Sequence, residues 1–119
     1  MPAPSTFASH FEFNSDNTAV IITLVGRLDP EAVDEIYPQI QDVYRAGVRR
    51  FVFDLSKLEH AGSLGLRLML GLRNQVKGEG QVALCTLSEP VRSLFRMMRL
   101  HEVLREYPSR AEALEATAV

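Results

Sequence analysis

Along the chain, apolar positions switch repeatedly between a spacing of two and a spacing of three to four, which separates strands from amphipathic helices. Phe11 and Phe13 alternate with polar neighbours and predict a short edge strand. Asn14 to Asn17 (NSDN) reads as a turn, and Thr18 to Val25 (TAVIITLV) reads as a β-branched strand, so the two form a hairpin. Asp29 before Pro30 and Glu31 predicts a helix start, because a short acidic side chain caps free amides and proline suits the first turn. Val33, Ile36, Tyr37, Ile40 and Tyr44 make one apolar stripe of this helix; Pro38 is expected to bend or divide it, and Gly47 to end it.

Arg50 to Leu55 (RFVFDL) has the dense apolar character of a central strand. Ser56 to Gly62 is expected to be a connection, with Ser63 capping a second helix that runs to about Lys77. Leu64, Leu68, Leu72 and Val76 fall on one face of it, and Leu66, Met69 and Leu70 widen the apolar coverage. Gln81 to Leu87 reads as a strand and Ser88 to Pro90 as the start of a third helix, with Val91, Leu94, Phe95 and Met98 on one side. A last strand within Leu100 to Tyr107 and a small helix over Pro108 to Ala118, capped by Ser109 with Ala111, Leu114 and Ala118 inward, complete the order β-β-α-β-α-β-α-β-α. Such alternation predicts an α/β fold with crossover helices, a mixed sheet of four to five strands and about four helices.

A length of 119 residues suits one core: residues 1–9 read as a flexible leader and 10–119 as a single domain. An apolar fraction of 46% argues for a folded chain, and a net charge of -2 without a basic run argues against nucleic acid as a partner. The apolar stretches are short or interrupted and no signal-peptide order opens the chain, so direct membrane insertion is not expected. A lone Cys85 excludes an internal disulfide, predicts a buried inert thiol, and fits a reducing, cytoplasmic setting.

Catalytic and cofactor chemistry finds little support. No glycine-rich phosphate loop of either common spacing is present, and His10, His60 and His101 lack partners at metal-ligand spacing, so neither a cofactor nor a metal is predicted. A triad drawn from Ser63, His60 and Asp54 lacks a nucleophile-elbow context, and the chain is read as noncatalytic. The segment that stands out is Asp54 to Leu66 (DLSKLEHAGSLGL), where a strand ends and a helix opens at Gly62-Ser63-Leu64-Gly65. Backbone N–H groups and the positive helix end meet there, which suits an anion or a partner's acidic side chain; Asp54 and Ser56 satisfying loop amides and glycines permitting close packing is the plainer reading. Arg67, Arg73, Arg92, Arg96 and Arg99 are candidates for a cationic patch or for solvated helix faces.

Arg50 to Leu66 resembles the signature of the STAS domain, the fold of bacterial anti-sigma-factor antagonists: a hydrophobic strand, Asp-Leu-Ser, a short loop, then Asp-Ser-Ser-Gly-Leu. Gly26-Arg27-Leu28-Asp29 resembles the family's opening of the first helix, and Leu87 to Val91 and Tyr107 to Leu114 resemble its later elements. The resemblance implies a noncatalytic module that binds a kinase-like anti-sigma factor through Asp29, Asp54, Ser56, Gly62, Ser63, Leu64, Gly65, Arg67 and Leu68. Its alternative is an accessory subunit that meets the ATPase of a phospholipid-trafficking ABC transporter or joins a sensory assembly; homodimerisation stays open. In the family a serine on this loop is phosphorylated by the partner. Here that position is Leu64, the usual aspartate is Gly62, and Ser63 matches the serine that is normally not the acceptor, leaving Ser63 as the sole candidate for modification on the motif. The resemblance therefore implies docking without the usual phosphoserine switch.

Overall fold

A computed structural model describes residues 7–118. Its elements in chain order are β1 (Phe7–Phe13), β2 (Ala19–Leu28), α1 (Pro30–Arg45), β3 (Arg50–Ala61), α2 (Ser63–Val76), β4 (Gln81–Cys85), α3 (Glu89–Met97), β5 (Arg105–Tyr107) and α4 (Arg110–Ala116). A single 3₁₀ turn over Leu100–Glu102 precedes β5. The sheet has five strands in the order β1-β2-β3-β4-β5; β1 is antiparallel to β2 and every later pairing is parallel. This is the mixed α/β arrangement expected from the alternation of strands and helices.

The two sheet faces are covered unequally. Val20, Ile22, Phe51, Phe53 and Leu55 join Ile36 and Ile40 of α1, Leu66 and Met69 of α2, and Phe95 of α3 in the main core. On the opposite face, Val52, Ala83 and Cys85 meet Ala113 of α4 in a much smaller cluster. The alternation of Phe51, Val52 and Phe53 between the two clusters is the period-two geometry of a strand buried on both faces. Cys85 is buried as expected, and desolvation pushes its thiol pKa up.

Several local expectations are corrected. Strand β1 begins at Phe7, so residues 7–9 are paired against β2 and not a leader; the remainder of that expected leader lies outside the described residues. Strand β3 runs through to Ala61 where a loop was expected, because it remains paired with β2 across two register shifts. Strand β4 stops at Cys85: Thr86 has φ of 61°, and its N–H turns to Tyr107 O at 3.3 Å. In α4 Ala113 is buried and Leu114 half-buried against the same cluster, with the cap residue Thr117 buried after it, whereas Ala111 and Ala118 are exposed. Ser109 does cap this helix, its Oγ accepting from Glu112 N at 3.1 Å.

Pro38 neither ends nor divides α1. Proline forfeits one helical hydrogen bond and crowds the preceding turn, but Ile36 and Ile40, both fully buried, anchor the helix on either side of it. Pro38 itself is exposed. Pro38→Ala is accordingly expected to raise stability by about 1–3 kcal/mol in urea unfolding, and a loss of stability would show that the proline is needed for the helix path.

Candidate functional site

The ends of two neighbouring parallel strands bring two helix starts together. At the end of β2, Asp29 caps α1, its Oδ1 accepting from Ala32 N at 2.9 Å. At the end of β3, Gly62 caps α2 with extended backbone; Ser63, expected as the cap, is instead the first helical residue. The two junctions are tied directly, since Gly62 N donates to Leu28 O at 3.2 Å. Gly65 then packs on the same residue: a Cβ there would stand 2.5 Å from Leu28 Cδ2 and 2.7 Å from Cγ. Half-buried Asp29 and Gly62 and buried Gly65 thus frame the junction.

That close approach predicts a measurable cost. Gly65→Ala is expected to destabilise by about 1–3 kcal/mol, because fully buried Leu28 has to leave its position. Combining it with Leu28→Ala removes the clashing atoms, so the double variant is expected to be more stable than the sum of the single effects, as thermal unfolding of the four proteins would show.

The surface of the site is formed by Ser63, Leu64 and Arg67, all exposed, with Leu68 half-buried beside them. The expected face of Leu64, Leu68, Leu72 and Val76 on α2 is split. Leu72 and Val76 are buried with Gly65, Leu66 and Met69, whereas Leu64 is 46% exposed. Its apolar side chain has no core to enter, because the helix turns its Leu66 and Met69 side toward the sheet. From α1, Tyr37 adds a second large apolar group, 52% exposed. A groove of about 170 Å³ lies between the helices, walled by Tyr37, Ile40, Arg67, Leu68 and Leu72. Reciprocal amide hydrogen bonds between Gln41 and Gln75, at 3.0 and 2.9 Å, pin the helices farther along. Helical spacing assigns Tyr37 to the buried stripe of α1; its place at the groove depends on the crossing of α1 with α2, for which local periodicity holds no signal.

Asp54 and Ser56 stand apart from this surface. Asp54 is buried on the α4 side of the sheet, where Arg110 Nε lies 3.0 Å from its Oδ2. Its other oxygen accepts from Ser56 N at 3.0 Å, the loop-amide role that the plainer reading assigns to it. Arg110 also approaches Glu12 Oε2 at 3.3 Å and donates to Thr23 Oγ1 at 2.9 Å. Nothing in the local sequence singles out Arg110, since its partners come from three different strands.

The arginines considered as a cationic patch are largely engaged internally. Arg92 pairs with Glu89 and Glu106, contacting Glu106 Oε2 at 2.6 Å, and donates to Leu87 O at 3.1 Å. The hydrogen bond from Arg92 holds the Glu106 carboxyl below the usual carboxylate range. Arg99 is 3.6 Å from Glu102, and Arg73 donates to Asn74 at 3.2 Å. Arg67 is the member of the set that borders the groove.

Among the described residues, no group of three or more His, Cys, Asp or Glu side chains is arranged to hold a metal, and no helix is long and apolar enough to cross a membrane. The α/β scaffold thus presents an exposed apolar and cationic helix surface beside the groove between α1 and α2. The STAS domain model matches residues 10–113, and the chain belongs to this family. It is 31% identical over 107 residues to an anti-sigma F factor antagonist of Paenibacillus polymyxa, with 87% of this chain and 90% of that protein covered. The fold is similar to an anti-sigma factor antagonist of Mycobacterium paratuberculosis, with a TM-score of 0.86 at 20% identity over the full length of both chains. It is also similar to the anti-sigma factor antagonist SpoIIAA in its unphosphorylated form, with a TM-score of 0.81 and 25% identity over 92% of this chain and 95% of that one. The chain is thus a STAS protein similar to anti-sigma factor antagonists.

Proposed function

We propose that the chain is a noncatalytic antagonist that docks a kinase-like anti-sigma factor through Ser63, Leu64, Arg67 and Leu68, without a phosphoserine switch at residue 64. The observation that carries this reading is the exposure of Leu64, 46%, at the opening of α2, where the STAS signature has its phosphorylated serine. An apolar side chain left outside its own core favours burial against another protein, and Arg67 alongside suits an acidic side chain of that partner. Leucine offers no hydroxyl, so a partner that phosphorylates the family's serine has nothing to modify there. The names of the similar proteins support an anti-sigma factor as the partner class.

Affinity isolation from the native host with ATP present, followed by mass spectrometry and titration of the purified partner, tests the reading. Retention of a kinase-like anti-sigma factor by an unphosphorylated chain is the expected result. Recovery of a transporter ATPase in its place would overturn the partner, and a phosphate on Ser63 would overturn the loss of the switch.

A further inference from the structure

Asp54 faces α4, on the opposite side of the sheet from the groove, yet its carboxylate touches the backbone that leads into α2. Thr23 pairs with Asp54, and the next matched pair is Val25 with Lys57, so β3 carries one more residue than β2 across this step. Such an insertion is a β-bulge, which bends the strand and re-aims the residues beyond it. The bond from Ser56 N to Asp54 Oδ1, 3.0 Å, closes the bulge from within β3. Arg110, the first residue of α4, reaches both members of the pair at which the register shifts. Its Nε lies 3.0 Å from Asp54 Oδ2, and its Nη2 donates to Thr23 Oγ1 at 2.9 Å.

The second half of β3 and the start of α2 depend on that register. Leu58 and Ala61 are 2% and 1% exposed, and a slip of one residue would send each to the wrong face. Their placement carries Gly62 to its bond with Leu28 O and seats Gly65 on Leu28, which together fix where α2 begins. Helix α4 has little apolar contact of its own, chiefly Ala113 and half-buried Leu114. Its other end is held by Arg50, which donates to Leu114 O at 3.2 Å and to Thr117 Oγ1 at 3.3 Å.

We propose that Asp54 and Arg110 are positioning residues for the docking face: Arg110 orients the carboxylate that closes the β3 bulge, so attachment of α4 on one side of the sheet sets the start of α2 on the other. The consequence for partner binding rests on the docking role of Leu64 proposed above; the coupling itself belongs to the free protein.

Site-resolved amide hydrogen exchange on the free full-length chain tests it, comparing the unaltered protein with Arg110→Met and Arg110→Lys. Arg110→Met is expected to speed exchange at least 10-fold in residues 56–66 together with α4, while α3 keeps its original rates. Lysine keeps the charge but cannot reach Asp54 and Thr23 at once as the guanidinium does, so Arg110→Lys is expected to fall between the two. Acceleration confined to α4, or spread evenly over the whole sheet, would reduce Arg110 to an ordinary structural contact and overturn the proposal. Should Arg110→Met fail to fold, the same comparison is decided on Arg110→Lys. Leu64→Asp separates the two readings: normal partner binding by that variant overturns the docking role of Leu64 and leaves the exchange result standing.

Discussion

Leu64→Asp is expected to weaken binding of the anti-sigma partner by at least about 100-fold while leaving the melting temperature nearly unchanged. Leu64 is 46% exposed in the free chain, so its removal opens no cavity. In a complex, burial of the exposed half of Leu64 contributes about half of the roughly 1.5–3 kcal/mol of a wholly buried leucine, and aspartate in its place has to be desolvated without a built partner. Each 1.4 kcal/mol is about tenfold in affinity, so loss of the apolar contact alone gives roughly 3- to 10-fold and the buried charge supplies the rest. Leu64→Ala isolates the first of these effects. Isothermal titration with the purified partner, beside thermal unfolding of each variant, separates binding from stability. Unimpaired binding by both variants would place the docking face elsewhere. Leu64→Ser adds a complementary test, since a partner kinase and ATP are then expected to phosphorylate the new hydroxyl and release the complex.

The largest effect on stability is expected from Gly80→Ala, at a residue outside the proposed docking surface. A Cβ at this position would lie 1.8 Å from Arg49 O and 2.6 Å from its carbonyl carbon. Backbone has to move, because that carbonyl oxygen accepts from Gln81 N at 3.0 Å at the start of the β3–β4 pairing. Arg49 is poorly placed to yield. Its guanidinium stacks 3.8 Å from the Tyr44 ring centroid, donates to Tyr44 O at 2.6 Å and pairs with Glu79 at 3.0 Å. Overpacking against fixed backbone is expected to cost about 3 kcal/mol or more, lowering the melting temperature by roughly 10 °C or more. Gly71→Ala is the internal control. It is a helical glycine with nothing within 4 Å of the added carbon, and alanine there is expected to stabilise by about 0.5–1 kcal/mol. Circular dichroism melts of the two variants should therefore move in opposite directions. A Gly80→Ala melt within 2 °C of the original, on the order of a few tenths of a kcal/mol, would mean that the strands separate at little cost.

The order of elements was legible because its signals are local. Asp29-Pro30-Glu31 marks the start of α1 whatever lies around it, and the β-branched run of β2 needs no partner to be recognised as a strand. The family signature was legible for the same reason: Gly62 to Leu68 and the Gly26 to Asp29 junction carry their resemblance in contiguous residues. The second half of β3 was not. Its two bulges break the alternation on which a strand reading depends, so Ser56 to Ala61 has the pattern of a connection although it remains paired with β2.

Burial divides along the same line. Helical spacing correctly groups Leu72 with Val76, and it places Leu64 with them because they recur on one side of α2. Which part of that side meets the sheet is decided by the angle at which the helix leaves Gly62, and this angle is set by Leu28, a residue on another strand. Tyr37 is exposed for an equivalent reason, since its neighbours across the groove, Arg67 and Leu68, come from another helix. The amino-acid sequence by itself determined the α/β order, the helix starts and the family resemblance, all consequences of short-range spacing, capping and backbone preference. Only the tertiary structure decided that Asp54 turns to Arg110 and Leu64 to solvent, because each outcome depends on side chains from distant strands and helices converging on one point in space.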